Sequence, residues 1–263
     1  MTKLPAKLFN SKLLVRFVFV TFMASSAFIL FRLGMPPSAA VEPGMAISVK
    51  NDYSLMLVQC VLGMVVMLLP GLLQKKLYMA IPSKMLVAFA VFLYCAIYLG
   101  EVHFFYFRIP HWDTLLHIFS GFALSAIGIS IISLLNKSES IKMPLSPAFV
   151  AIFAFCFALA AGVVWEIYEF AMDSLLGFNM QKYMLESGEA LVGQAALADT
   201  MKDLIADSLG AIAMSVVGYV SMKHKTGWLE NMQIKLNRPA VAPEPVFLAQ
   251  NKYDMLKEAT SNK

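Results

Sequence analysis

Six apolar blocks, each near the length that spans a lipid bilayer, constrain this chain before anything else does. They run roughly from Leu13 to Leu33, Ser54 to Leu73, Met85 to Gly100, Thr114 to Leu135, Pro147 to Phe170 and Asp199 to Met222. Crossing about 30 Å of hydrocarbon takes about 20 helical residues at roughly 1.5 Å per residue. The third block is short and is expected to continue into "EVHFFYF" at 101–107. Hydrocarbon offers no water to backbone N–H and C=O groups, so each block must be a helix that pairs them internally. The expected fold is an all-α membrane protein, a bundle of six transmembrane helices over residues 1–222. Composition agrees, with 59% hydrophobic and only 14% charged residues, against about 25% charged in soluble domains.

The first block has an alternative reading as a signal peptide. Lys3, Lys7, Lys12 and Arg16 lead into the apolar run, and "SAA" at 38–40 could be cleaved. Its length and the closing Arg32 favour a retained anchor. After Met222 the chain turns polar. "GWLENMQIKL" has Trp228, Leu229, Met232 and Leu236 at helical spacing, as an interfacial helix would. The rest of the 223–263 segment reads as an extended linker and a disordered end.

Charge sets the orientation. The amino terminus, "QKKLYMAIPSK", "NKSESIK" and "KHK" carry eleven basic residues on one side, against five on the other: Arg32, Lys50, Arg108, Lys182 and Lys202. Basic loops stay in the cytoplasm, so both termini are expected there, in an inner membrane. The acidic residues are biased the other way. Twelve of 17 belong to the outer connections or outer helix ends, a field that favours cations over anions. The formal net charge of +4 is therefore no sign of a nucleic-acid partner. Cys60, Cys95 and Cys156 lie in apolar spans with no C-x-x-C and read as small hydrophobes. No nucleotide-binding loop, nucleophile motif, redox motif or internal repeat appears.

An ionised side chain inside a span costs at least about 2.5–3.5 kcal/mol, so each needs a reason. Span four carries Asp113 and His117 at i, i+4. Span five carries Glu166, Glu169 and Asp173 at i, i+3, i+7, and span six Asp199, Asp203 and Asp207 at i, i+4, i+8. At about 100° per residue each set keeps to one helix face. His117, Glu169 and Asp203 each lie about 6 Å below the outermost member of their set, and Glu166 and Asp207 lie deeper. Gly121, Gly162 and Gly210 continue the same faces, and small residues let helices approach closely. Spans four, five and six are thus expected to converge on one acidic pocket. Blander uses remain open: Asp113 and Asp199 as helix N-caps, Asp173 as a solvated interface residue, His103 and His111 as interface anchors. Lys202 points about 100° away from Asp203 and cannot neutralise that face.

The stretches "EVHFFYFRIPHWDTLLHIFSGFALSAIG", "WEIYEFAMD", "NMQK" and "DTMKDLIADSLGA" resemble signature blocks of the YjdF-like inner-membrane proteins. The resemblance covers spans three to six and implies a six-helix inner-membrane protein without naming a chemistry. The chain is more distantly similar to VanZ-like proteins, which carry D-x-x-x-H, E-x-x-Q and D-x-x-x-N-x-x-G. The matching positions are Asp113 and His117, Glu166 and Glu169, and Asp203, Asp207 and Gly210. Here Glu169 replaces that pattern's Gln and Asp207 its Asn, and its Arg has no counterpart beyond Lys202. More carboxylate and less arginine favours a cation. That likeness implies work at the cell envelope.

Three functions follow. In the first, Asp113, His117, Glu166, Asp203 and Asp207 hold a divalent metal, with Glu169 as general base, acting on a membrane lipid or lipid-linked precursor. Oxygen-rich ligand sets suit Mg²⁺ or Mn²⁺, and a histidine admits Zn²⁺. In the second, the carboxylates relay protons or cations coupled to movement of a small solute. In the third, a non-catalytic envelope or resistance factor uses the network to fix helix packing.

Overall fold

The computed structural model describes residues 11–35, 43–136, 145–185, 188–227 and 233–236, the side chains of 43–51 excepted. Six helices are long and apolar enough to cross a membrane, within Ser11–Leu33, Asp52–Lys76, Ser83–Val102, Trp112–Asn136, Pro147–Leu176 and Gln194–Lys223. The chain is an all-α membrane protein. Its helices are α1 (Ser11–Leu33), α2 (Pro43–Lys76), α3 (Ser83–Leu93), α4 (Phe105–Arg108), α5 (Trp112–Asn136), α6 (Pro147–Leu176) and α7 (Gln194–Lys223). The alternative "SAA" cleavage stretch, residues 137–142 of "NKSESIK" and the tail past Leu236 lie outside the described residues.

Three boundaries differ from the hydropathy reading. α3 runs on as a π-helical segment over Tyr94–Val102, so the short third span does enter "EVHFFYF". The wider turn frees carbonyls from the ordinary ladder. The Cys95 carbonyl accepts from Trp112 Nε1 at 3.3 Å, which ties this segment to the start of α5. α6 extends to Leu176 and stops at Gly177, whose φ of +67° is the left-handed cap that glycine takes without strain. At its other end Ser146 Oγ accepts from Phe149 N at 3.2 Å, with Pro147 opening the helix. α7 begins at Gln194, five residues before Asp199, so Asp199 is inside the helix and cannot be its N-cap.

The tail departs from expectation as well. Lys235 and Leu236 do not continue an interfacial helix. They form strand β2 (Lys235–Leu236), antiparallel to β1 (Met79–Ala80). The adjoining Gln233 donates from Nε2 to Ser133 Oγ at 3.1 Å, and Ile234 is buried. Those contacts satisfy polar groups that a surface helix would leave to water. Residues 228–232 lie outside the described residues.

The helices pack in two groups. α1, α2 and α3 with its π-helical extension bury Phe22, Ile29, Cys60 and Ile97 together. α5, α6 and α7 bury Ile129, Val150, Ala154 and Met214, each helix packing against the other two. The groups meet where α5 lies along the π-helical segment. Leu13, Phe17, Ile152, Val164 and Leu209 are exposed, as suits a surface that faces lipid.

Glycines set the closest approach. A Cβ on Gly121 of α5 would run into the backbone of Asp207 on α7, and one on Gly210 into the Ile118 carbonyl. α5 and α7 therefore cross backbone to backbone, with the polar ends of α5, α6 and α7 just beyond the crossing.

Candidate functional site

α5 presents Asp113 in its first turn and His117 one turn deeper, where His117 is buried. The histidine ring lies between two carboxylates of α7. Its Nδ1 is 3.2 Å from Asp207 Oδ2, and its Nε2 is 3.9 Å from Asp203 Oδ2 and 3.6 Å from Asp113 Oδ1. Asp113, His117 and Asp203 each offer one ligand atom, and these atoms all lie within 4.8 Å of one another. Donors this close could converge on a single cation.

Asp207 sits on the far side of the ring from that trio. It is only 2% exposed and accepts from Ser120 Oγ at 2.5 Å. Its carboxylate has room because α6 has a glycine opposite: a Cβ on Gly162 would lie 2.6 Å from Asp207 Oδ2. An Nδ1–H donated to Asp207 leaves the Nε2 lone pair facing Asp113 and Asp203. Three acceptors then face one another with no proton between them. A cation or added protons would stabilise such a cluster.

α6 adds two acids at the same end. Glu166 is 5% exposed, and neither carboxylate oxygen has a hydrogen-bond partner. It faces His117, Asp199, Asp207 and Thr200, but the Thr200 hydroxyl does not complete hydrogen-bond geometry with it. The Thr200 hydroxyl accepts from Gln181 Nε2 at 2.9 Å. Glu169 is buried and accepts from Trp165 Nε1 at 2.9 Å. Neither acid belongs to the trio within 4.8 Å.

Asp173 is not the solvated residue its position suggests. It is 6% exposed and accepts from the backbone N–H groups of Met180 at 2.7 Å and Gln181 at 3.0 Å. The chain leaving α6 has to turn back over the pocket, and this carboxylate pins the turn. His103, His111 and Lys202 are exposed.

The residue that sequence reasoning missed is Lys182. Its Nζ donates to Asp113 Oδ2 and to both oxygens of Asp199, at 3.2 Å each. It also lies 5.9 Å from the Tyr106 ring centroid. Burial pulls its ammonium pKa down, but Asp113 and Asp199 outweigh that and raise it above the ordinary lysine range. Asp113 is thus engaged by Lys182 through Oδ2, while its Oδ1 faces His117 Nε2. The signal was available: Lys182 is the basic residue of the connection between two acidic helix ends, inside "NMQK". Glu101, at the end of the π-helical segment, faces Asp113 and Lys182 too. Burial first, then Glu101 and Asp113, push the Tyr106 phenol well above its usual range.

An open apolar groove of about 330 Å³ lies between α6 and α7, lined by Ala151, Phe155, Ile212 and Tyr219 among others. It contains none of these carboxylates.

Residues 39–224 match a family described as "Predicted membrane protein (DUF2238)". A relative from Thermotoga maritima, an "Uncharacterized protein", is 31% identical over 161 residues, 60% of this chain and 72% of its own length. The VanZ-like resemblance gains no support from these matches. No solved structure is similar enough to match. The family match takes in α3, α5, α6 and the pocket residues, and on that ground the chain belongs to the DUF2238 family of membrane proteins.

Proposed function

We propose that this is a multi-pass inner-membrane protein of the YjdF-like type whose pocket binds a divalent cation near the outer face. Asp113 Oδ1, His117 Nε2 and Asp203 Oδ2 are its ligands, Glu166 is in reserve, and Asp207 orients the imidazole. The observation that carries this reading is the trio of acceptors within 4.8 Å of one another. Hard oxygen donors with one imidazole suit Mn²⁺ or Mg²⁺, and also admit Zn²⁺. A cation there would stabilise negative charge developing on a phosphate oxygen. The substrate class is then a phosphate-bearing envelope lipid or lipid-linked precursor, with Glu169 as general base. Both termini and the 223–263 tail lie in the cytoplasm in this reading, which the basic asymmetry supports.

Elemental analysis of the purified chain tests the site. The wild type should carry a stoichiometric divalent metal, and Asp203→Ala should lose it while remaining membrane-inserted. A wild type free of metal after Mn²⁺ loading would refute the reading.

One observation favours coupled transport instead. Ser125 Oγ and Ser215 Oγ are both buried and lie 3.0 Å apart, continuing the α5–α7 seam beyond Asp207. Against it, α5, α6 and α7 carry no Asp or Glu deeper than Glu166 and Asp207. A solute-dependent proton flux in proteoliposomes would favour transport over chemistry.

A further inference from the structure

We propose that the Lys182 ammonium fills the second of two cation positions bridged by Asp113, and so limits the pocket to one divalent ion. The inference rests on the cation-binding reading above and assigns Lys182 a role in ion number.

The two oxygens of Asp113 face different ways. Oδ1 lies 3.6 Å from His117 Nε2, beside Asp203, and belongs to the first position. Oδ2 accepts from Lys182 Nζ, which is also 3.2 Å from each oxygen of Asp199. A carboxylate that gives one oxygen to each of two neighbouring positive charges is the usual bridge of two-metal sites, whose ions lie about 3.5–4 Å apart. Here one of the two charges is supplied by the chain itself.

The pocket has acid enough for the second ion. Asp113, Asp199, Asp203, Asp207 and Glu166 crowd one end of three helices, against Lys182 and His117. Glu166 is the independent sign. It is 5% exposed, both its oxygens lack hydrogen-bond partners, and Asp199 and His117 are among its charged neighbours. A buried carboxylate without a donor is costly unless a cation meets it.

Lys182 is placed there by a built loop. Asn179 Nδ2 donates to the Met184 carbonyl at 2.8 Å, and Met184 N donates back to Asn179 Oδ1 at 2.9 Å. Asp173 holds the N–H groups of Met180 and Gln181 just before it. Lys182 itself has a φ of +48°, a left-handed conformation that an L side chain keeps only when its surroundings impose it. An ammonium is a compact point charge with no acceptor, so it can stand in for an ion among carboxylates without attracting a further one.

The test uses the full chain in detergent, loaded with Mn²⁺ alone, counted by elemental analysis and examined by electron paramagnetic resonance. Wild type should hold one Mn²⁺ per chain with an isolated-ion spectrum. Lys182→Met, nearly the same length but uncharged, should hold twice as much, with the spectrum of an exchange-coupled pair. Lys182→Arg should return to one, as should Lys182→Met combined with Asp199→Asn. A merely structural lysine would give Lys182→Met one ion or none and would overturn the inference, leaving the single-ion reading intact. A wild type that binds no Mn²⁺ would instead overturn the reading on which this rests. Should Lys182→Met fail to accumulate, Lys182→Gln expressed in Mn²⁺-supplemented medium is the second variant. Doubled Mn²⁺ there supports the inference. Failure of both variants to accumulate despite Mn²⁺ counts against it, because the ion would then be unable to replace the ammonium.

Discussion

The crossing of α5 and α7 gives the sharpest stability prediction. In Gly121→Ala the new Cβ would lie 2.8 Å from the Asp207 carbonyl carbon and 2.9 Å from its Cα. Ordinary carbon contacts are about 3.5–4.0 Å, so the helices must part by roughly 1 Å. Overpacking costs about 1–3 kcal/mol, and a clash with backbone, which cannot rotate away, belongs at the upper end. Alanine regains about 1 kcal/mol of helix preference over glycine. The net loss is about 2 kcal/mol, roughly a 30-fold fall in the folded-to-unfolded ratio. Gly71→Ala is the matched control, since nothing lies within 4 Å of a Cβ there. It should be neutral or gain up to about 1 kcal/mol. Unfolding by sodium dodecyl sulfate titration in mixed micelles, followed by far-ultraviolet circular dichroism, reads the difference. Equal midpoints for the two variants would refute the backbone-to-backbone crossing. The same parting would carry His117 off Asp207, now 3.2 Å away, so Gly121→Ala should also bind metal more weakly.

The other predictions concern the pocket and its frame. His117→Ala should lose bound metal while staying membrane-inserted, and His111→Ala, exposed and outside the trio, should keep it; elemental analysis of both variants decides. Asp173→Ala removes two charge-assisted hydrogen bonds to the loop, worth about 1.5–3 kcal/mol each before solvent competition. Its 177–193 segment should be cut faster by protease than wild type; equal cleavage rates would show that the carboxylate does not pin the turn. A reporter fused after Lys263 should behave as cytoplasmic, and periplasmic behaviour would overturn the basic-residue argument for orientation.

The six spans are legible in the sequence because hydrocarbon leaves the backbone no alternative to helix. The pocket is legible for a related reason. Glu166, Asp203 and Asp207 recur at helical spacing inside apolar runs, where solvation cannot account for them. What the spacing could not fix was which atoms meet. Asp207 and Asp203 are one turn apart on α7, yet they fall on opposite edges of the His117 ring, because the Gly121–Gly210 crossing sets the helix rotation. Lys182 was hidden by its place in a connection. Its partners, Asp113 and Asp199, come from helices on either side of it in sequence, and only the loop built by Asp173 and Asn179 brings them together. The π-helical turn left no composition signal; Gly100 within it makes room for the Tyr106 ring.

The two α7 aspartates therefore have different work, and conservative substitution should separate them. Asp207 is held by His117 Nδ1 and Ser120 Oγ and occupies the space left by Gly162. An asparagine there can still accept from Nδ1–H with its carbonyl oxygen, and keeps the shape that the Gly162 gap admits. Asp207→Asn should hold the ring in place and retain the metal with weakened affinity. Asp203 is different: its Oδ2 lies 3.9 Å from His117 Nε2, too far for a hydrogen bond, so the oxygen remains available to an ion. Asp203→Asn replaces an anionic ligand with a neutral amide in a site that has few ligands, and should lose the metal. Isothermal titration with Mn²⁺ ranks the two. Equal losses would mean that Asp207 is itself a ligand and that the ring is not oriented through Nδ1. A larger loss in Asp207→Asn would move the ion to the other edge of His117.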